Sequence, residues 1–252
     1  MRNLIVALLV VAATPALAQE KEKLFASDIS VRTVLTFKAP DTAVRKMLPA
    51  GWELNSPAAG PTRGSNFGIT LIDTLMVQDP EGKPVTPMSY MVFVVQAKKL
   101  GSDTAGAMVV GGFTAQEGVP GAYGVYSPAR VTVDRRSHTD AAGKTVIEEN
   151  WDSMDEDGNT MKMQVEFTRG TPRRGKGEPK VYSAAKADFY RIYRLEQAAD
   201  VVRSTPADVD RVSRFSIKVA GPKLSPLFNG TEQLISITSV PAYSRSIYLP
   251  VQ

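Results

Sequence analysis

The chain has 252 residues, with 30 lysines and arginines, 26 aspartates and glutamates, one histidine and no cysteine. A formal net charge of +4 would attract a nucleic-acid partner only weakly. The absence of cysteine excludes disulfides. A lone histidine without cysteine lacks the usual ligands of a zinc centre, so we predict no metal site. We also predict no cofactor, and the small net charge predicts no nucleic-acid partner.

The N-terminus has the three parts of a secretory signal. Arg2 supplies the positive charge, residues 4–11 form a short apolar segment, and Ala16-Leu17-Ala18 is a small-residue cleavage site. No later segment approaches the roughly 20 apolar residues of a membrane-spanning helix. We therefore predict that residues 1–18 are cleaved, and that residues 19–252 form a single periplasmic or secreted domain without an integral membrane span.

Short apolar or alternating segments follow one another along the mature chain, and this pattern is typical of strands. The predicted strands are residues 29–37, 67–77, 90–96, 108–110, 130–133, 145–147, 148–152, 161–167, 188–195, 214–220, 234–240 and 244–249. A short helix is predicted from Asp41 to Pro49, and another from Glu196. The predicted fold class is mainly β with a few short helices (α+β).

Turn residues predict two hairpins. Residues 131–133 pair with 145–147 across a turn at 140–143, and residues 148–152 pair with 161–167 across Asp157-Gly158-Asn159. The basic segment 169–180 contains glycine and proline but no aromatic residue that could stack on bases. We interpret that segment as a solvated loop.

Glycine and proline are concentrated between the strand at 108–110 and the strand at 130–133. After Gly111-Gly112, the loop contains Gly118, Pro120, Gly121 and Gly124. Such residues specify an irregular loop, and loops of this kind often carry a ligand site. A wide connection without a function is the alternative interpretation.

Three segments, in this order, resemble the acetoacetate decarboxylase-like family: residues 34–54, residues 109–126, and residues 221–228 followed by 234–241. The resemblance implies a barrel or cone-shaped antiparallel sheet that encloses an apolar pocket. In the family's decarboxylases, a lysine forms a Schiff base with the substrate, which requires a neutral amine with a lowered pKa.

The lysine loop of those enzymes reads Pro-Lys-Lys-Leu-Gly, whereas the matching positions here are Pro120-Gly121-Ala122-Tyr123-Gly124. Glycine and alanine have no amine, so the resemblance predicts that the Schiff-base lysine is missing. The family's pocket arginine and glutamates have no convincing counterparts in this chain, because the residues that fall nearest to their positions are Ile29 and Gly68.

We therefore expect a protein that binds a small apolar or carboxylic molecule in its barrel and has no catalytic residue. The predicted ligand-binding residues are Phe113, Pro120, Gly121, Ala122, Tyr123 and Tyr126.

Two other functions remain open, and so does homo-oligomerisation. The sequence Lys98-Lys99-Leu100-Gly101 contains a lysine pair, so the first alternative is a keto-acid decarboxylase or lyase acting through Lys98 or Lys99. Two solvated lysines in a turn are the simpler interpretation of that pair. The second alternative is a structural or interaction protein of the periplasm, suggested by the basic segment 169–180.

Overall fold

The computed structural model describes residues 22–115, 121–186 and 188–250. The predicted signal segment and Pro120 lie outside these ranges. Within them the chain forms one short α-helix, a 3₁₀ turn at Gly121–Tyr123 and fifteen strands. The bounds are β1 Glu22–Lys38, α1 Asp41–Arg45, β2 Trp52–Leu54, β3 Phe67–Gln78, β4 Pro84–Val85, β5 Ser89–Lys99, β6 Ala105–Thr114, β7 Tyr126–Thr139, β8 Thr145–Asp155, β9 Thr160–Thr168, β10 Arg173–Gly177, β11 Lys180–Ser183, β12 Tyr190–Ser204, β13 Val209–Asp210, β14 Val212–Ala220 and β15 Gln233–Pro250. No helix in the described ranges is long and apolar enough to cross a membrane.

Seven of the described strands close into a barrel. Their order is β6-β11-β12-β15-β1-β3-β5, and pairing between β5 and β6 completes the circle. All neighbours in the circle are antiparallel except β6 and β11. Closure removes the free edges that an open sheet of this size would expose.

A second sheet branches from the barrel at β6. The first half of β6 pairs with β11, whereas Gly112 to Thr114 pair in parallel with the start of β7. From there β7, β8, β9 and β14 form an antiparallel meander. A Cβ atom on Gly112 would overlap the Met91 carbonyl oxygen and the Tyr126 ring, so glycine allows the close contact at this branch point.

An apolar layer fills the space between the barrel wall and the meander. Leu35 and Phe37 of β1 belong to the same buried cluster as Trp151 and Phe167 of the second sheet. Side chains alternate along a strand, so β1 directs one face to this layer and the other to the barrel interior. The layer is the main core of the protein.

One carboxylate, that of Glu149 on β8, is buried in this layer and accepts three hydrogen bonds. Only 1% of Glu149 is exposed. It accepts hydrogen bonds from Thr33 Oγ1 at 2.7 Å, Trp151 Nε1 at 3.1 Å and Arg135 Nε at 3.1 Å. Buried charges are tolerated when they are paired and hydrogen-bonded in this way, and these bonds connect the barrel to the second sheet.

The structure corrects two predicted element boundaries. The helix predicted from Glu196 is wrong, because β12 continues as a strand to Ser204 and has neighbours on both edges, β15 on one and β10, β11 and β13 on the other. The strands predicted at 234–240 and 244–249 are one strand, β15, with a register shift around Pro241. A shift of this kind accommodates proline, which has no N–H to donate.

The meander confirms both predicted turns but changes one register. Strand β7 extends to Thr139, so Thr139 pairs with Thr145 and Val133 pairs with Trp151 rather than with residues 145–147. The second hairpin, β8 with β9, is as predicted. The basic segment is not wholly a loop, because Arg173–Gly177 forms β10 and pairs with β12.

Candidate ligand-binding cavity

The barrel encloses a cavity of about 420 Å³. Much of its wall is apolar, and inward side chains of several strands contribute to it, among them Ile72, Val92, Val109, Val181 and Ile247. A volume of this size lies within the range of small-molecule sites. The barrel interior therefore has room for a ligand in addition to its own side chains.

Two strands bring a buried ion pair into this cavity. Register places Asp28 of β1 directly opposite Arg245 of β15. Arg245 Nε donates to Asp28 Oδ2 at 2.6 Å, and its Nη2 donates to the Tyr90 hydroxyl at 3.0 Å. Burial alone lowers the pKa of Arg245, but the Asp28 carboxylate and nearby tyrosines outweigh burial and raise that pKa above its ordinary value. Arg245 is therefore a permanent cation.

Arg32 adds a second guanidinium to the same carboxylate. Its Nη2 lies 3.4 Å from Asp28 Oδ1, its Nε donates to Ser30 Oγ at 2.9 Å, and its guanidinium carbon lies 3.3 Å from the Tyr243 ring centroid. Burial and the neighbouring Arg245 lower the pKa of Arg32, yet an arginine keeps its proton in proteins. One carboxylate thus faces two cations, and the cluster carries a net positive charge.

A third arginine, Arg191 of β12, also lines the cavity. Only 1% of the residue is exposed, and its Nε and Nη2 atoms have no hydrogen-bond partner among the described residues. Its guanidinium carbon lies 4.5 Å from the ring centroid of Phe25, 5.1 Å from that of Tyr123 and 6.0 Å from that of Phe189. Aromatic faces attract the cation but accept no hydrogen bond along its N–H directions.

The cavity has two cationic regions, one formed by Arg32 and Arg245 and the other by Arg191, and tyrosines lie between them. The Tyr193 ring centroid lies 4.5 Å from the guanidinium carbon of Arg245, and the Tyr193 hydroxyl lies 2.6 Å from that of Tyr123. Burial raises the pKa of Tyr90, and it raises the pKa of Tyr123 and Tyr126 well above the ordinary value, with further contributions from neighbouring tyrosines. These phenols are therefore neutral at physiological pH.

The predicted ligand-binding residues lie in different places. Tyr126 lines the cavity, and Gly121 and Ala122 belong to the 3₁₀ turn that precedes it. Tyr123 is buried next to the wall through its hydroxyl contact with Tyr193. Phe113 lies in the apolar layer, where its ring packs edge-on against Phe93 at 5.3 Å. Ligand binding by all of these residues remains a prediction.

The candidate lysines lie away from the cavity wall. Lys98 forms an ion pair with Glu53 at 3.1 Å and has 48% of its side chain exposed, and Lys99 is also exposed. Lys186 lies beside the lysine-loop position, where its Nζ donates to the Ala122 carbonyl at 2.9 Å, but it too is exposed. The described residues that line the cavity include no lysine.

The sequence analysis missed the three arginines of this site. The resemblance placed Ile29 nearest to the family's pocket residues, but its side chain is 38% exposed, and the buried cation on that strand is Arg32. A signal was present: Asp28, Ser30 and Arg32 alternate on the face opposite Leu35. Charged residues on the second face of such a strand indicate either solvent or a polar barrel interior, and the one-dimensional pattern does not distinguish them.

No group of three or more histidine, aspartate or glutamate side chains in the described ranges is arranged to hold a metal ion. The polar side chains that line the cavity include three arginines, three tyrosines besides Tyr243, and Asp28. Guanidinium groups match the geometry of carboxylates, and phenols donate or accept single hydrogen bonds. Such a set can bind and orient an anion.

Solved structures with the same architecture span nearly the whole chain. An acetoacetate decarboxylase-like enzyme from Sphingomonas wittichii RW1 matches with a TM-score of 0.55 at 10% identity, covering 98% of this chain and 100% of that one. The enduracididine biosynthesis enzyme MppR, complexed with pyruvate, matches with a TM-score of 0.51 at 12% identity over 97% of each chain. Acetoacetate decarboxylase matches with a TM-score of 0.50 at 6% identity, covering 95% of this chain and 93% of that one.

No protein-family model and no curated protein sequence matches this chain. At such low sequence identity, the similarity to solved structures shows a shared architecture and does not identify the ligand or the activity of this chain. The strand-helix-proline segment, the glycine loop and the C-terminal Gly-Pro segment nevertheless predict the same architecture from sequence. The chain has the acetoacetate decarboxylase-like fold.

Proposed function

We propose that this chain is an exported acetoacetate decarboxylase-like protein that binds a small carboxylic molecule in its barrel without forming a Schiff base. The observation that carries this proposal is the charge of the cavity wall. Three buried arginines, Arg32, Arg191 and Arg245, line the cavity together with one carboxylate, Asp28. The lining therefore has two more positive than negative side chains.

An uncompensated buried cation is unfavourable, and an anionic ligand would compensate it. Carboxylates suit arginine because two parallel N–H···O bonds match the guanidinium fork. The Nη1 atoms of Arg32 and Arg245 make no hydrogen bond to a described residue and are free to donate to such a ligand. The aliphatic wall would contact the rest of the molecule.

Two observations support binding without a covalent bond. Schiff-base chemistry needs a desolvated lysine amine at the substrate, whereas the matching loop positions are Gly121 and Ala122. Lys98, Lys99 and Lys186 are exposed. MppR, which shares the fold, has been solved with pyruvate, a small carboxylate, and this supports a carboxylate-sized ligand in a barrel of this kind.

The proposal that the protein is exported rests on the signal-peptide pattern of residues 1–18. Expression of the full chain in a bacterial host and intact mass measurement of the periplasmic fraction would test it. We expect a mature protein that begins at Gln19. Retention of the full-length mass in the cytoplasm would contradict export and leave carboxylate binding to be judged separately.

Binding is tested by titration calorimetry of the mature protein with pyruvate, acetoacetate and short aliphatic carboxylates. We expect saturable binding of at least one of them. Arg245→Met should weaken that binding at least tenfold, while Asp28 keeps Arg32 as its partner. Arg136→Met, at a position 73% exposed, is the matched control and should bind as the wild type does. If Arg245→Met does not fold, Arg245→Lys retains the charge and removes the fork.

Borohydride treatment during incubation with the keto acids distinguishes this proposal from the lyase alternative. We expect no mass increase, because no lysine lines the cavity in the part of the chain that the structure describes. An adduct on Lys98 or Lys99 would contradict the proposal, and so would the absence of binding by every carboxylate.

A further inference from the structure

We infer that the cavity takes an elongated ligand with two acidic groups, and that Arg191 binds the second of them. This inference rests on the proposed function, because it concerns the same cavity. It assigns the two cationic regions to two ends of one molecule: Arg32 and Arg245 hold the first acid, and Arg191 holds the second. The chemical class is a dicarboxylate with an apolar middle.

Among the described residues, Arg191 lacks the hydrogen-bond partners that the other two arginines of the cavity have. Its side chain is buried, it lines the cavity, and two of its nitrogen atoms lack partners among the described residues. Arg245 and Arg32, by contrast, share Asp28. Buried donors that lack an acceptor are rare in folded proteins and need an explanation. A ligand oxygen would supply the missing acceptor.

Arg191 and Arg245 lie at different levels along the barrel wall. Arg191 and Leu195 are four residues apart on β12, which corresponds to about 13 Å along a strand, and Leu195 lies opposite Arg245. Tyr193 lies between them, and its hydroxyl contacts Tyr123, whose ring faces Arg191. A single small carboxylate at Arg245 would leave Arg191 without a partner, whereas a longer diacid can reach both.

The charges of the side chains that line the cavity also favour a ligand with two acidic groups. Three arginines and one aspartate leave two positive charges among the side chains that line the cavity. A monocarboxylate would neutralise one of them, and a dicarboxylate would neutralise both. The aliphatic side chains Val109, Val181 and Ile247 also line this cavity and suit a methylene chain rather than further polar groups.

The test compares two probes of equal length, adipate and hexanoate, by calorimetry at pH 7.5, where both are fully ionised. They differ only in the second carboxylate. We expect adipate to bind the wild type at least tenfold more tightly than hexanoate. Arg191→Met should lower the affinity for adipate at least tenfold and leave that for hexanoate unchanged, while Arg136→Met should change neither.

Equal affinity of the wild type for adipate and hexanoate would overturn the inference and leave the proposed function intact. An equal loss for both probes in Arg191→Met would also overturn it, because Arg191 would then only support the fold. Failure of every carboxylate to bind would instead remove the proposed function. If Arg191→Met does not fold, the wild-type ratio decides, together with Arg191→Lys, which should retain part of the preference for adipate.

Discussion

The two faces of the barrel wall are built differently. On β1, Leu35 is fully buried in the apolar layer beneath the second sheet, whereas Asp28 and Arg32 face a cavity on the other side of the same strand. The outer face is packed with apolar side chains, whereas the inner face carries charged residues and borders a cavity. The layer is the main core of the fold, and the cavity is the binding site that we propose.

Buried charges show the same contrast. Glu149 in the apolar layer receives three hydrogen bonds, including one from Arg135. Arg191 in the cavity wall has two nitrogen atoms without a partner in the described ranges. Arg135, which pairs with Glu149, also has one nitrogen atom, Nη2, without a partner among the described residues, so an unsatisfied nitrogen alone does not mark a ligand site. Arg191 differs because it has two such nitrogen atoms and lines the cavity.

The largest expected effect comes from truncating neighbouring residues on opposite faces of β1. Leu35→Ala removes core packing and should lower the free energy of unfolding by about 2–5 kcal/mol. Val34→Ala, on the inward face of β1 at a second pocket that Thr36 and Val94 also line, should cost about 1 kcal/mol or less. Urea denaturation of both variants measures the difference. Equal losses would contradict the distinction between a filled face and a hollow one.

A smaller effect is expected at the glycine pair of β6. A Cβ on Gly112 would overlap the Met91 carbonyl oxygen and the Tyr126 ring, whereas one on Gly111 would meet the Phe93 ring at 3.0 Å. Gly112→Ala should therefore cost about 1–3 kcal/mol, and Gly111→Ala should cost less. Thermal and urea unfolding compare them. We also expect Gly112→Ala to weaken carboxylate binding, because Tyr126 lines the cavity; unchanged stability and binding would refute the role of this contact.

The smallest effect concerns alkaline pH. Burial raises the pKa of Tyr126 above the ordinary 10.0, so above that pH the unfolded chain loses a proton that the folded chain keeps. Stability is therefore complete below pH 10 and falls as pH rises, by at most about 1.4 kcal/mol per pH unit for each such tyrosine. Urea denaturation at pH 9 and pH 11 should show a smaller fall for Tyr126→Phe. An identical fall in variant and wild type would contradict this explanation.

The sequence analysis recovered the β-rich architecture because alternation and turn residues are local signals. The hairpin of β8 and β9 was predicted because Asp157-Gly158-Asn159 and the alternating strand after it carry their own information. The continuation of β12 past Glu196 was not, since it depends on pairing with β10 and β15, which are distant in sequence. Tertiary pairing overrides local preference in such segments.

The site was harder to predict than the fold. Of the predicted ligand-binding residues, Tyr126 lies on the cavity wall, and its position next to the glycine loop was a useful guide. Arg32, Arg191 and Arg245 come from three strands, and only barrel closure brings them to one cavity. Nothing local separates an arginine that faces the inside of a barrel from one that faces solvent.

The most direct test of the central claim is a crystal structure of the mature protein with adipate. We expect the ligand inside the barrel, one carboxylate within hydrogen-bond distance of Arg245 or Arg32, the other next to Arg191, and no covalent bond to a lysine. Density for the ligand outside the barrel, or joined to a lysine side chain, would contradict it.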